Sequence, residues 1–168
     1  MVKVFGIDPG LAATGIAVVE GTGLTVRHYS YGTIQTAARH PLPDRLRHIH
    51  EEIERIIGDI GPDVMVVEDV FSLQKYPKSG ITLGKVTGVI LLAGCRAAVP
   101  VWEVAVREAK QVLTGNGNAG KHQLQESVRH RLNHHDVITP SHASDALALA
   151  MVGLYRCDMP QGCNCLSL

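Results

Sequence analysis

The sequence of 168 residues has little of several features that would classify it directly. Sixteen basic and sixteen acidic residues leave a formal net charge of zero, so bulk charge indicates no nucleic-acid partner and any basic surface must be local. No segment approaches the roughly 18 consecutive apolar residues of a membrane helix, and no basic region followed by a long apolar segment opens the sequence. We therefore expect a soluble, cytoplasmic protein without a membrane partner.

Cysteine is scarce, and its spacing argues against a structural zinc site. Cys95 lies in an apolar helical stretch, whereas Cys157, Cys163 and Cys165 cluster near the end of the sequence without the paired spacing of zinc ligands. We predict that residues 157–168 form a flexible tail. Residues 1–156 are predicted to form one domain, because 45% hydrophobic content can fill a single core at this length.

The pattern of apolar residues predicts an α/β fold with a mixed sheet flanked by helices. Three strands joined by short glycine-containing turns are followed by a helix between Pro43 and Gly61, then by a short β-branched strand that should lie parallel to the first. Later helices and one further strand alternate, and the last helix is predicted to be capped by Ser141. The predicted strands are residues 2–8, 14–20, 24–31, 64–67 and 100–104, and the later helices are residues 81–98, 106–113, 121–132 and 141–155.

Polar side chains from three distant segments are candidate metal ligands. Asp8 and Glu68 each end an apolar strand, and sites in open α/β sheets form outside the carboxyl ends of strands. His142 and Asp145 are three residues apart, so they share one face of the last helix. Carboxylates this close repel one another unless divalent cations neutralise them, and oxygen-rich sites select Mg²⁺ or Mn²⁺. Two such ions suit hydrolysis of a phosphodiester bond.

Each of these residues also has an ordinary structural explanation. Asp8 before Pro9 and Gly10 is typical of a turn, and Glu68 could be a solvated residue after a strand. Asp145 falls in a first helical turn, where the helix dipole favours a carboxylate without any metal. It is the occurrence of all these residues together that favours a metal site.

Five segments, in order along the chain, carry a family resemblance. They are Gly6-Ile7-Asp8-Pro9-Gly10 with Thr14-Gly15, Val67 to Phe71, Leu83 to Gly88, Val106 to Gln111 with Gly115 and Lys121, and Ser144 to Ala148. Together they resemble the RuvC family of Holliday junction resolvases over residues 4–150. The resemblance implies a ribonuclease H-like fold with a mixed five-stranded sheet, a homodimer, and symmetric nicking of four-way DNA junctions in recombination and repair. It also implies association with the RuvA and RuvB branch-migration proteins, and catalytic, metal-binding roles for Asp8, Glu68, His142 and Asp145.

One of these positions departs from the commoner pattern of the family. The last helix usually carries two aspartates in Asp-x-x-Asp spacing, and here the first of them is His142. Imidazole is a poorer ligand than carboxylate for Mg²⁺ and a good one for Mn²⁺. We therefore expect Mn²⁺ to serve at least as well as Mg²⁺. The alternative is that His142 protonates or positions the leaving group.

Basic residues cluster on the segments that should surround the site. Such side chains contact DNA phosphates, although scattered charges are usually only a solvated surface. Two of them match basic positions of the family, Lys110 and Lys121, and Lys121 also opens a helix whose first N–H groups are suited to a phosphate. The full candidate set is Lys75, Lys78, Lys85, Arg107, Lys110 and Lys121.

Phe71, three residues after Glu68, is a candidate for contact with DNA bases. It either covers the core or stacks on an unpaired base at the junction centre, and the resemblance favours stacking. Tyr76 is a weaker candidate for the same role. The glycine-containing helix, 81–98, is the predicted dimer contact, with a core helix of a monomer as the alternative.

Two other functions stay open at this point. Gly-Ile-Asp-x-Gly followed by Thr-Gly also resembles the first phosphate loop of actin-like ATPases and sugar kinases, but one domain is too short for their two lobes. No Gly-x-x-x-x-Gly-Lys loop offers another nucleotide site. The remaining alternative is a junction-binding module that lost its chemistry with the missing aspartate.

Overall fold

The computed structural model describes residues 1–69 and 77–157, without the side chains of residues 77 and 78. Within these ranges the strands form one mixed five-stranded sheet in the order β3-β2-β1-β4-β5, which confirms the predicted sheet. β1 pairs antiparallel with β2 and parallel with β4, and β4 pairs parallel with β5. The strands are β1 (Val2–Asp8), β2 (Ala13–Thr22), β3 (Thr25–Gln35), β4 (Val64–Glu68) and β5 (Val101–Val104).

The helices follow the predicted order, with local differences at their ends. The helix predicted to start at residue 81 begins at Pro77, because proline is tolerated in a first turn where its missing N–H has no partner to lose. Ser141 is the first residue of its helix and not the cap, since the carbonyl of Pro140 accepts the N–H of Ala143 at 3.0 Å. The helices are α1 (Leu42–Ile60), α2 (Pro77–Arg96), α3 (Val106–Thr114), α4 (Lys121–Leu132) and α5 (Ser141–Cys157).

Alternate residues of β1 face two separate cores. Val4 packs with the buried side of α5, whereas Phe5 and Ile7 pack with the buried isoleucines of α1 and with α2 on the other face. This two-faced burial explains why β1 and β4 are almost continuously apolar. The sheet thus lies between α5 on one face and the α1–α2 pair on the other.

Glycines allow α5 to lie unusually close to β1 and β2. A Cβ atom at Gly6 would lie 2.2 Å from the carbonyl oxygen of Ala146, and one at Gly15 would lie 2.1 Å from that of His142. Any side chain at either position would therefore collide with helix backbone. This close approach brings the first turn of α5 against the end of β1, where the candidate metal ligands lie.

The membrane prediction and the predicted tail can be compared with the described residues. Within residues 1–69 and 77–157, no helix has both the length and the apolar character needed to cross a membrane. Most of the predicted tail, with Cys163 and Cys165, lies outside the described residues. Cys95 and Cys157 are exposed free thiols.

Candidate metal centre and its surroundings

The structure brings three of the four candidate ligands into one group. Asp8, at the end of β1, is only 6% exposed, and its Oδ2 lies 2.6 Å from Nδ1 of His142 on α5. Asp8, His142 and Asp145 each offer one ligand atom, and these atoms all lie within 4.8 Å of one another. The predicted convergence of a strand end and a helix face is therefore present for these three residues.

Glu68 lies beside Asp8 and is not part of the three-atom group. The parallel register of β1 and β4 pairs Ile7 with Val67, so the next residues, Asp8 and Glu68, end their strands side by side. Their two carboxyl groups are close enough for each to shift the pKa of the other. The four candidates thus form two overlapping sets that share Asp8.

Burial controls the protonation of this carboxyl pair. Burial, followed by the hydrogen bond to Asp8 and its charge, raises the pKa of Glu68 to about 8. Burial also raises the pKa of Asp8 to about 6, although the hydrogen bond from Glu68 opposes that rise. The charge of Asp145 raises both pKa values and that of Lys121 lowers both. Burial therefore favours the protonated form of this pair.

The residues at this site fit a divalent cation. Two carboxylates and an imidazole within 4.8 Å of one another form a mixed oxygen and nitrogen donor set, which suits Mg²⁺ or Mn²⁺. Burial, with the charge of Asp145, raises the pKa of both Asp8 and Glu68 because it disfavours their charged forms. A bound cation would stabilise those charged forms and displace the proton.

Lys121 lies against the acidic group, which consists of Asp8, His142 and Asp145. Its Nζ is 2.9 Å from Oδ2 of Asp145, and the lysine side chain is 55% exposed, against 19% for the aspartate. At the start of α4 the N–H of Gly120 donates to Oε1 of Gln123 at 2.9 Å, so that backbone donor already has a partner. Sequence reasoning placed Lys121 near the site but missed its ion pair with Asp145.

The other predicted DNA contacts lie on the helices around the sheet. Lys85 is exposed on α2, Arg107 is exposed on α3, and Lys110 is half-buried one turn further along α3. Lys78 is in the first turn of α2, but its side chain is not described. The remaining candidates, Phe71, Lys75 and Tyr76, lie outside the described residues. Among the candidates whose side chains the structure describes, Lys121 contacts the acidic group.

Three side chains that sequence reasoning did not assign hold the loop after Asp8. Oγ1 of Thr14 donates to the carbonyl of Gly10 at 2.8 Å. Oγ1 of Thr36 donates to the carbonyl of Leu11, and Nε of Arg45 donates to Oγ1 of Thr36 at 2.7 Å. No local sequence pattern indicates the last two contacts, since they join residues from separate elements.

A model of the family described as crossover junction endodeoxyribonuclease RuvC matches residues 4–153 of this chain. The chain belongs to the RuvC family. It is 40% identical over 149 residues to RuvC of Brevibacillus brevis, covering 89% of each sequence. It is 37% identical over 157 residues to RuvC of Rhodopirellula baltica, covering 94% of this chain and 88% of that one.

Solved structures agree with this membership of the RuvC family. The structure of T. thermophilus RuvC in complex with Holliday junction substrate is similar with a TM-score of 0.88 and 30% identity, over 94% of this chain and 96% of that one. The yeast mitochondrial Holliday junction resolvase Ydc2 has a TM-score of 0.60 at 11% identity, covering 92% of this chain and 79% of that one, and shows a shared fold alone. The predicted ribonuclease H-like fold is confirmed.

Proposed function

We propose that this RuvC family endonuclease resolves Holliday junctions by nicking two strands symmetrically, with Asp8, Glu68, His142 and Asp145 as its catalytic, metal-binding residues. The observation that carries the assignment is the group of ligand atoms of Asp8, His142 and Asp145 within 4.8 Å of one another. The similarity to a RuvC solved with a Holliday junction supports the substrate. We place this activity in homologous recombination and repair in the cytoplasm.

We further propose two Mg²⁺ or Mn²⁺ ions per site. Asp8, His142 and Asp145 would hold one, and Asp8 with Glu68 would hold the other, which makes Asp8 the shared ligand. Such ions polarise a phosphodiester and activate water at neutral pH. Glu68 must lose its proton to act as a ligand, so we expect metal affinity to rise as the pH approaches about 8, the pKa of Glu68. Lys121 supplies positive charge beside Asp145 for a bound phosphate.

A nicking assay distinguishes this function from the two alternative functions. With Mn²⁺, the protein should nick a synthetic four-way junction in two opposed strands and leave a linear duplex of the same sequence uncut. Binding of the junction without nicking would instead indicate the non-catalytic module. Failure to bind the junction, together with binding of ATP, would favour the actin-like or sugar-kinase alternative.

Several basic and aromatic residues are proposed to hold the junction. Lys121 lies at the acidic group, whereas Lys85, Arg107 and Lys110 lie on flanking helices from which long side chains reach phosphates. Phe71 is proposed to stack on a base at the junction centre by family resemblance. Lys75 and Lys78 complete the proposed set.

Helix α2 supports the proposal of a homodimer. At about 100° per residue, Ile81, Gly84, Gly88 and Leu92 fall on one side of the helix. Ile81 is 63% exposed and Leu92 is 51% exposed, and a Cβ at either glycine would meet nothing within 4 Å. Two-fold symmetry would present two sites to two strands. Sedimentation velocity at micromolar concentration should give the dimer mass, and a monomer would contradict the proposal. RuvA and RuvB are proposed partners by resemblance only.

Replacing His142 with aspartate should shift the metal preference toward Mg²⁺. The imidazole Nδ1 lies 2.6 Å from Asp8 Oδ2, so position 142 belongs to the donor set, and carboxylate suits Mg²⁺ better than imidazole does. We expect the ratio of nicking rates in Mn²⁺ and Mg²⁺ to fall by roughly tenfold in His142→Asp. Each ratio uses a single preparation, so differences in the active fraction cancel. Equal ratios in wild type and variant would exclude His142 as a determinant of metal choice.

A further inference from the structure

A basic pocket lies between the end of β3 and the first turns of α1, outside the acidic group. Its cavity of about 380 Å³ is lined by residues that include Thr36, His40, Arg45, Arg47 and His48. The carboxylate among the residues that line it, Asp44, lies 3.9 Å from Arg47. Two guanidinium groups therefore face one carboxylate, in a chain whose formal net charge is zero.

Arg45 is held in place but not neutralised. Its Nε donates to Oγ1 of Thr36 at 2.7 Å, and Thr36 in turn donates to the carbonyl of Leu11. Among residues 1–69 and 77–157, no carboxylate forms an ion pair with Arg45, whereas Arg55 on the same helix pairs with acids one turn away on both sides. A planar guanidinium fixed through Nε keeps its terminal N–H groups for an oxyanion.

Arg47, His40 and His48 place further hydrogen-bond donors at the pocket, and the ion pairs of Arg47 are long. Arg47 lies 3.9 Å from Asp44 and 3.5 Å from Glu51, with its side chain 69% exposed, so both pairs are weak in water. His40 and His48 are exposed at the same pocket. This combination of guanidinium and imidazole groups suits a phosphate group with several acceptor oxygens.

The position of the pocket connects it to the acidic group. Asp8 pairs with Gly15, and Gly15 pairs with Thr33, three residues before Thr36. With about 4.8 Å between strands and about 3.3 Å per residue, Thr36 lies on the order of 14 Å from Asp8 along the same edge of the sheet. One DNA strand carries a phosphate about every 3.4 Å of helix axis and also winds around that axis, so this distance spans at most about four nucleotides.

We propose that this pocket binds a backbone phosphate of a junction arm, within about four nucleotides of the phosphate at the acidic group. The inference rests on the proposed function, because it assumes junction DNA at Asp8. The pocket makes no base contact in this proposal, so it contributes to affinity for any sequence and positions the strand in the active site.

Binding of a fluorescent four-way junction without divalent metal, measured by anisotropy across a salt series, tests the pocket. Arg45→Gln and Arg47→Gln should each weaken binding by roughly 3- to 10-fold and reduce the slope of log K against log salt by about 0.9. Arg55→Gln removes the same charge from the same helix outside the pocket and should match wild type. Free inorganic phosphate at constant ionic strength should not compete, because a single phosphate lacks the rest of the DNA contacts.

The outcomes separate failure of the pocket from failure of the function. If wild type binds and nicks junctions but Arg45→Gln and Arg47→Gln bind as well as Arg55→Gln, the pocket proposal is wrong and the function stands. Weakening by Arg45→Gln alone would also overturn it, since that change alone loosens the loop held through Thr36. If wild type neither binds nor nicks the junction, the proposed function itself fails.

Discussion

Replacing Glu68 with glutamine should abolish nicking and, at the same time, stabilise the metal-free protein at alkaline pH. The loss of activity follows from the proposed ligand role, since removing a carboxylate from a two-metal site forfeits several kcal/mol of transition-state stabilisation. At about 1.4 kcal/mol per factor of ten, we expect nicking to fall at least about 10³-fold.

The gain in stability follows from the pKa of Glu68. Burial raises that pKa from 4.5 to about 8 in the folded protein, so folding favours the protonated form. The stability this group contributes is complete below its unfolded pKa and is lost as the pH rises through about 8. Glutamine carries no charge at any pH, so the variant avoids the loss. Because Glu68 keeps some contact with water, we expect a difference of about 2 kcal/mol in free energy of unfolding above pH 8.

Urea unfolding in EDTA at pH 5 and pH 9, with nicking in Mn²⁺, measures both effects. Glu103→Gln is the matched control, because Glu103 is exposed on β5 and pairs in register with Val67, one residue before Glu68. The control should retain nicking and show no gain at pH 9. A Glu68→Gln protein that nicks at the wild-type rate, or that is less stable than wild type at pH 9, would contradict this account of the site.

The strand ends were predictable from sequence because both signals are local. A β-branched run that stops at an acid marks the edge of a buried strand, and β4 is parallel to β1 because α1 connects it to β3, which runs in the same direction as β1. The same applies to His142 and Asp145, whose spacing alone puts them on one helix face. These four residues therefore emerged without any knowledge of how the helices pack.

Contacts that depend on the distance between packed elements were not predictable. The ion pair of Lys121 with Asp145 joins the starts of α4 and α5, and the chain from Arg45 through Thr36 to Leu11 joins α1, β3 and a loop. Local patterns specify an element and its buried face but not how closely two faces approach. The raised pKa of Glu68 belongs to the same class, because it arises from burial by the assembled fold.

Replacing Gly15 with alanine should lower both the stability and the nicking activity of the protein. The new Cβ would lie 2.1 Å from the carbonyl oxygen and 2.5 Å from the carbonyl carbon of His142. Both are backbone atoms of α5, so no side-chain rotation relieves the contact and the helix must move. We expect a loss of about 3 kcal/mol in free energy of unfolding, which lowers Tm by roughly 6–12 °C.

The same displacement should reduce nicking beyond what the lost stability explains. His142 is bonded to Asp8 across this contact, and a shift of about 1 Å in a positioned group costs on the order of 10² in rate. Gly15→Ala should therefore nick at least about 100-fold more slowly at a temperature where circular dichroism shows it folded. Gly58→Ala on α1 is the matched control: its Cβ would meet nothing within 4 Å, so the better helix propensity of alanine should raise Tm slightly and leave nicking unchanged. If Gly15→Ala behaved like Gly58→Ala, the close approach of α5 to β2 would not be what holds His142 at Asp8.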